Sequence, residues 1–223
     1  PEYPLIYIST ASVMGATTHI SDNVFTDNHY IYSYIMTDLA EIDDLDSNPL
    51  TADYSVFIVN NEFNIGKLGE TENAETIALG ADLNAVIKTK HASKLGTGYG
   101  EYYISDNTFN TITTKMSSLI DAYETKLSVS TSTFSNLTLQ QYIIKQESYS
   151  GRELELSLSN VNMSDNDIED RKTSALVMVR KNQLDYGRNI VNTFADVTME
   201  NNSALFAIYA IATDSIATTL AAA

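Results

Sequence analysis

Hydrophobic and polar residues alternate along this chain in two rhythms, and each rhythm predicts a different element. Period two is clearest over 152–161. There Leu154, Leu156 and Leu158, joined by Asn160, fall on one side, and Glu153, Glu155, Ser157 and Ser159 on the other. Such a strand buries one face and turns the other toward water or a polar partner. The same rhythm over 30–36 sets Tyr30, Tyr32 and Tyr34 against Ile31 and Ile35. Shorter runs at 5–8, after Pro4, and at 54–59 are apolar and β-branched or aromatic, and they predict further strands. A looser alternation covers 81–90, and Glu101-Tyr102-Tyr103-Ile104 follows a glycine-rich loop at 94–100. Polar stretches at 38–49 and 60–80 read as loop and turns.

The second rhythm is helical. Phe109, Ile112, Met116, Leu119, Ile120, Tyr123 and Leu127 recur at spacings of three and four, one apolar stripe of an α-helix. Ser105 or Asp106 stands ready as its N-cap. A serine- and threonine-rich connector at 128–135 follows, and order resumes at 137–145. A second helix is predicted over 164–186. Asp165, Asp167 and Glu169 lie in its first turn, Arg180 and Lys181 near its end, and Gly187 stands just past it, an order that suits the helix dipole. From Ser203 onward Leu205, Ile208, Ala212, Ile216 and Leu220 form another helical stripe among helix-favouring alanines. The expected class is therefore α+β: a mixed β-sheet core with one or two amphipathic helices and an apolar C-terminal helix. Residues 1–163 form the mixed core. Residues 164–223 form a mainly helical part packed on that core or on a neighbouring subunit.

Charge narrows the partners. No lysine or arginine precedes Lys67 or follows Arg188, and residues 1–66 carry ten acidic groups within a net charge of −16. Phosphate neutralisation needs clustered cations, as does attraction to an anionic membrane. Nucleic acid is thus an unsuitable partner, and so is an anionic membrane surface at either end. No stretch reaches 18 consecutive apolar residues, which argues against a membrane-spanning helix. Pro1-Glu2-Tyr3-Pro4 shows no signal-peptide pattern. Without cysteine there is neither a disulfide framework nor thiol chemistry. Abundant Ser, Thr, Asn and Tyr suit both strands and adaptable polar interfaces.

Candidate chemistry is thin. Ile20-Ser-Asp-Asn-Val-Phe25 and Ile104-Ser-Asp-Asn-Thr-Phe109 match at five of six positions, 84 residues apart. Leu50-Thr51 and Leu137-Thr138 echo each other, and a third Ser-Asp-Asn begins at Ser164. An internal duplication explains these, but so does ordinary turn chemistry of Ser, Asp and Asn, and the differing downstream segments favour turns. The acidic run from Glu41 through Asp43, Asp44 and Asp46, and the group Asp165, Asp167 and Asp170, offer oxygen ligands without the spacing of a calcium loop. His19, Asp22, Asp27 and His29 lie close in sequence without the spacing of a metal site, and His91 stands apart. Whether a divalent cation binds is left open. Gly96, Gly98 and Gly100 lack the ending of a phosphate loop. Asn136, Asn162 and Asn201 sit in sequons of the kind that arise by chance in such a composition. No catalytic residue and no cofactor emerges.

The functional expectation is a non-enzymatic structural subunit of a self-assembling particle, first of all a virion protein of capsid, connector or tail, put together in the host cytoplasm. It would work as a homo-oligomer with other structural subunits, some presenting a basic surface. The alternatives are an extracellular filament or surface-layer subunit, and a hydrolase with dispersed catalytic carboxylates.

Overall fold

The fold repeats one local event: a strand, a single residue in the left-handed region, and a second strand that leaves in a new direction. A computed structural model describes residues 4–9, 17–26, 33–38, 54–68, 85–90, 100–114, 117–148, 154–170, 172–181, 190–211 and 216–221. All of its regular structure is strand, every paired strand is parallel, and successive strands wind in coils stacked one on the next.

Each coil contributes to as many as three walls. The first wall is a seven-stranded sheet of β1 (Ile6–Ser9), β4 (Ile35–Asp38), β8 (Ile87–Lys90), β11 (Ser118–Tyr123), β14 (Tyr142–Ser148), β17 (Ala175–Lys181) and β19 (Phe206–Ile211). The second wall stacks β2 (Thr17–Ser21), β5 (Tyr54–Val59), β9 (Gly100–Ser105), β12 (Thr125–Ser130), β15 (Leu154–Ser164), β18 (Ile190–Glu200) and β20 (Ile216–Ala221). The third wall holds β3 (Val24–Thr26), β6 (Glu62–Asn64), β7 (Gly66–Leu68), β10 (Thr108–Thr114), β13 (Thr133–Leu139) and β16 (Asp167–Ile168). The ends of β15 and β18 bend round into this wall. The architecture is a parallel β-solenoid, in which each coil buries its apolar face only by stacking on its neighbours.

Parallel in-register stacking sets like residues above like. One core column of the first wall reads Ile6, Ile35, Ile87, Ile120, Ile144, Val177 and Ile208. In the third wall Phe25, Phe63, Phe109 and Phe134 stack with ring centroids 4.6–4.8 Å apart and planes within 11°. That distance is the spacing between paired strands, so the rings repeat with the backbone. Met163 and Met199 continue the column. In the second wall, Gly100 lies between Tyr54 and Thr125. A Cβ on Gly100 would run into the Tyr54 hydroxyl, so the close approach of that ring requires glycine.

The helical expectation is overturned, and the bends explain why. The first bend puts Asp22, Asn60, Asp106, Thr131, Asn160 and Asp196 at φ of 47–61°. A second bend does the same to Thr111, Asn136, Asp165 and Asn201, at φ of 53–56°. The first wall buries residues consecutively, as from Ser118 to Ala122, but the second and third walls alternate; a left-handed residue flips that alternation, so buried positions there step by three across a bend and by two between bends. Ile104, Asn107, Phe109, Ile112 and Thr114 are all buried in this way, as are Val129, Ser132, Phe134, Leu137 and Leu139. Phe109 and Ile112 therefore mimic a helical stripe while lying on one strand around Thr111. The helix expected over 106–127 is β10, β11 and the first half of β12. That expected over 164–186 holds β16 and β17, and the apolar C-terminal helix is β19 and β20. Residues 163 and 164 both lie on β15. The strands expected at 5–8, 54–59, 101–104 and 152–161 correspond to β1, β5, β9 and β15.

Candidate functional site

A left-handed bend leaves backbone amides and carbonyls without partners along the strand, and buried groups of that kind must be paired. At the first bend, side-chain amides do so from the next coil. Asn23 N–H donates to Asn61 Oδ1 at 3.0 Å, Asn61 N–H to Asn107 Oδ1 at 2.9 Å, and Asn107 N–H to Ser132 Oγ at 3.2 Å. Asn107 Nδ2 donates back to the Ile58 carbonyl at 2.7 Å and to that of Ser105 at 2.8 Å. The series then changes bend. Leu137 N–H donates to Asn166 Oδ1 at 3.0 Å and Asn166 N–H to Asn202 Oδ1 at 3.1 Å, while Asn202 Nδ2 reaches the Met163 carbonyl at 2.8 Å. The Ser-Asp-Asn repeats are these bends. Ile20 pairs with Ile58 and Ile58 with Ile104, so the 84-residue offset spans two coils. The third copy at Ser164 forms the second bend. Leu50 and Thr51 lie outside the described residues.

The outer side of the first wall carries the middle of the charge distribution. Lys88 pairs in register with Asp121, and Asp121 with Lys145. Lys145 Nζ lies 2.6 Å from Glu147 and 3.6 Å from Asp121, and Arg180 pairs with Glu147. Asp121 and Glu147 are buried. Burial pushes the Asp121 carboxyl above its ordinary range, against the pull of Lys145 and Lys88. Burial lowers the Lys145 ammonium's affinity for its proton, but Asp121 and Glu147 outweigh it and hold the group above its ordinary value. This arrangement neutralises charge where water is excluded.

The second wall offers an open site. Its outward column begins with His19, Phe57 and Tyr103, stacked 4.8 and 4.7 Å apart, and continues as Ser128, Ser157 and Thr193. The neighbouring column holds Glu101, Lys126 and Glu155. Lys126 Nζ is 3.3 Å from Glu155, and the Tyr103 hydroxyl donates to Glu101 Oε2 at 2.9 Å. That hydrogen bond, with burial adding to it, raises the Tyr103 phenol above its ordinary pKa. Where rings give way to serines the surface steps down into a depression of about 270 Å³.

The residues weighed from sequence fall elsewhere. His19 is part of the outward stack, and Asp22 is a bend residue accepting a 2.7 Å hydrogen bond from Asn60 Nδ2. Asp165 and Asp167 flank the buried Asn166, and Asp170 accepts from Lys172 N–H and the Thr173 hydroxyl, closing a turn. The Lys172 amide holds the Asp170 carboxyl below its usual range. Asn136, Asn162 and Asn201 are exposed. Asp27, His29, Glu41, Asp43, Asp44, Asp46, His91, Gly96 and Gly98 lie outside the described residues. Among the described residues, no group of three or more His, Asp or Glu could hold a metal ion. No helix there is long and apolar enough to cross a membrane. The depression at Tyr103 escaped sequence reading because its residues come from three strands and meet only through register. The one signal was the polar face of 152–161, with Glu155 and Ser157 on it.

Comparison of the chain with protein-family models, with curated proteins and with solved structures finds no match. Fold and surface chemistry therefore carry the functional reading.

Proposed function

We propose that this chain is a non-enzymatic structural subunit of a self-assembling particle, a virion component before an extracellular filament, joined to other subunits through the ends of its coil stack. One observation carries the reading. Among the described residues, the strongly exposed large apolar side chains are Leu5, Tyr7 and Val24 in the first coil and Leu205 and Phe206 in the last. Among the described residues, β1 and β2 at one end of the stack and β19 and β20 at the other are each paired on one side, and an open edge recruits further strands unless covered. The first 66 residues hold no cation, so a contact there joins a basic surface of another subunit or forms once salt screens the repulsion. The Debye length at physiological ionic strength is about 8 Å.

Light scattering across a salt and Ca²⁺ series tests this. The mass should rise above the monomer as repulsion is screened, or on adding a basic partner subunit. Val24→Glu and Leu205→Glu, which add like charge at the two ends, should suppress the rise and leave the fold intact. A strict monomer under every condition, with turnover of a small substrate, would overturn the reading in favour of a hydrolase.

A further inference from the structure

We infer that the depression beside Tyr103 binds one uncharged pyranose ring of a glycan. Phe57 covers one face of Tyr103 at 4.7 Å and 10°. The next residue of that column is Ser128, which has no ring to place against the other face. The stacking series thus stops one ring short, above a floor made by Ser128 and Ser157. A pyranose has the shape for this place. One of its faces presents C–H bonds, which carry partial positive charge and suit the negative face of an aromatic ring.

The rim supplies the matching polar groups. Glu101 and Glu155 accept hydrogen bonds, Lys126 donates them, and both serine hydroxyls do either. The hydrogen bond from Tyr103 to Glu101 and the ion pair of Lys126 with Glu155 hold these groups in place before a ligand arrives. At about 270 Å³ the depression falls just below the range that holds drug-sized molecules, which suits a single ring. Its rim carries two carboxylates against one ammonium, on a chain of net charge −16, so an anionic sugar is repelled. This site lies on the flank of the coils and stands or falls independently of contacts at their ends.

The intact isotope-labelled chain is titrated with the methyl pyranosides of glucose, galactose and mannose and their linear oligomers, with glucuronate as charged control. At least one neutral probe should give saturable shifts confined to the Tyr103 ring and the amides of Ser128 and Ser157, with a Kd on the order of 1 mM. Ser128→Phe continues the ring column and fills the place; it should weaken binding by about tenfold or more with an unchanged melting temperature. Tyr103→Phe keeps the ring but releases Glu101, and should weaken binding far less than Tyr103→Ala, which should abolish it. Absence of a saturable shift with every neutral probe, a response to glucuronate alone, or wild-type binding by a folded Ser128→Phe or Tyr103→Ala chain would overturn the assignment.

Discussion

The N-terminal and C-terminal coils meet the same backbone demand at different bends. In coils one to three Asn23, Asn61 and Asn107 occupy the first bend, and Ser132 ends the series in coil four. Where the second bend begins, Ile112 and Leu137 are buried there instead. In coil five the roles exchange: Val161 is buried at the first bend and Asn166 at the second. The third-wall column changes alongside, from stacked Phe to Met. These two coil types therefore take one amide each, at either left-handed bend, and can fill the other bend with an aliphatic side chain. Cooperation between coils resides in the column rather than in any fixed motif.

The largest expected effect probes the ring column. Phe109→Ala removes a ring stacked on both faces and should cost about 3–5 kcal/mol in urea unfolding. Met163→Ala, in the same column, should cost less, because only the ring pairs add about 0.5–1.5 kcal/mol beyond burial. Equal costs would mean that ring stacking contributes nothing beyond packing.

Lys145→Met tests what ties the two sets of coils together across the first wall. It leaves the buried Asp121 and Glu147 without their shared cation. Removing one partner of a buried network costs about 3–5 kcal/mol, reduced here because Lys88 and Arg180 remain. A loss below about 1 kcal/mol, the level of a surface pair, would show that the network is hydrated.

Asn107→Ala and Asn166→Ala should each cost about 1–3 kcal/mol by leaving a neighbouring coil's buried groups unpaired. If only the first-bend substitution is costly, the two bends are not equivalent and the comparison fails.

The smallest effect is on pH dependence. The folded pKa of Asp121 lies above the ordinary 3.8, so in that window the folded chain holds a proton that the unfolded chain has released. This group's contribution to stability therefore falls as pH rises from about 4. Lys145 works at the other end: its folded pKa lies above 10.5, and its contribution is present below that value and lost as pH rises through the folded pKa. Subtracting Asp121→Asn from wild-type stability across an acid-to-neutral series should give a difference that declines with pH. A rising difference would contradict the sign.

How much of this was legible follows from where each signal sits. Leu154, Leu156 and Leu158 lie on a straight stretch of β15, where alternation survives and the strand reads correctly. Phe109 and Ile112 straddle Thr111, and a single left-handed residue turns a step of two into a step of three. The repeat was visible in Ile20–Phe25 and Ile104–Phe109. It lost its period because successive coils differ in length: Ile20, Ile58, Ile104, Val129, Leu158 and Phe194 are separated by 38, 46, 25, 29 and 36 residues. Solenoids are recognised by fixed periods, and this one has none. The confinement of the cations to the middle of the chain was legible, and Glu147 stands two residues from Lys145, but Asp121 and Arg180 join that pair only through register.

The exchange of bends is tested most directly by native-state hydrogen exchange, resolved by residue, on Asn107→Ala and Asn166→Ala chains. Asn107→Ala should lose protection at the Asn61 amide and keep it at Leu137, and Asn166→Ala should lose it at Leu137 and keep it at Asn61. Unchanged protection at both amides, or equal loss at both in each variant, would show that the side-chain amides do not hold the bends of this solenoid.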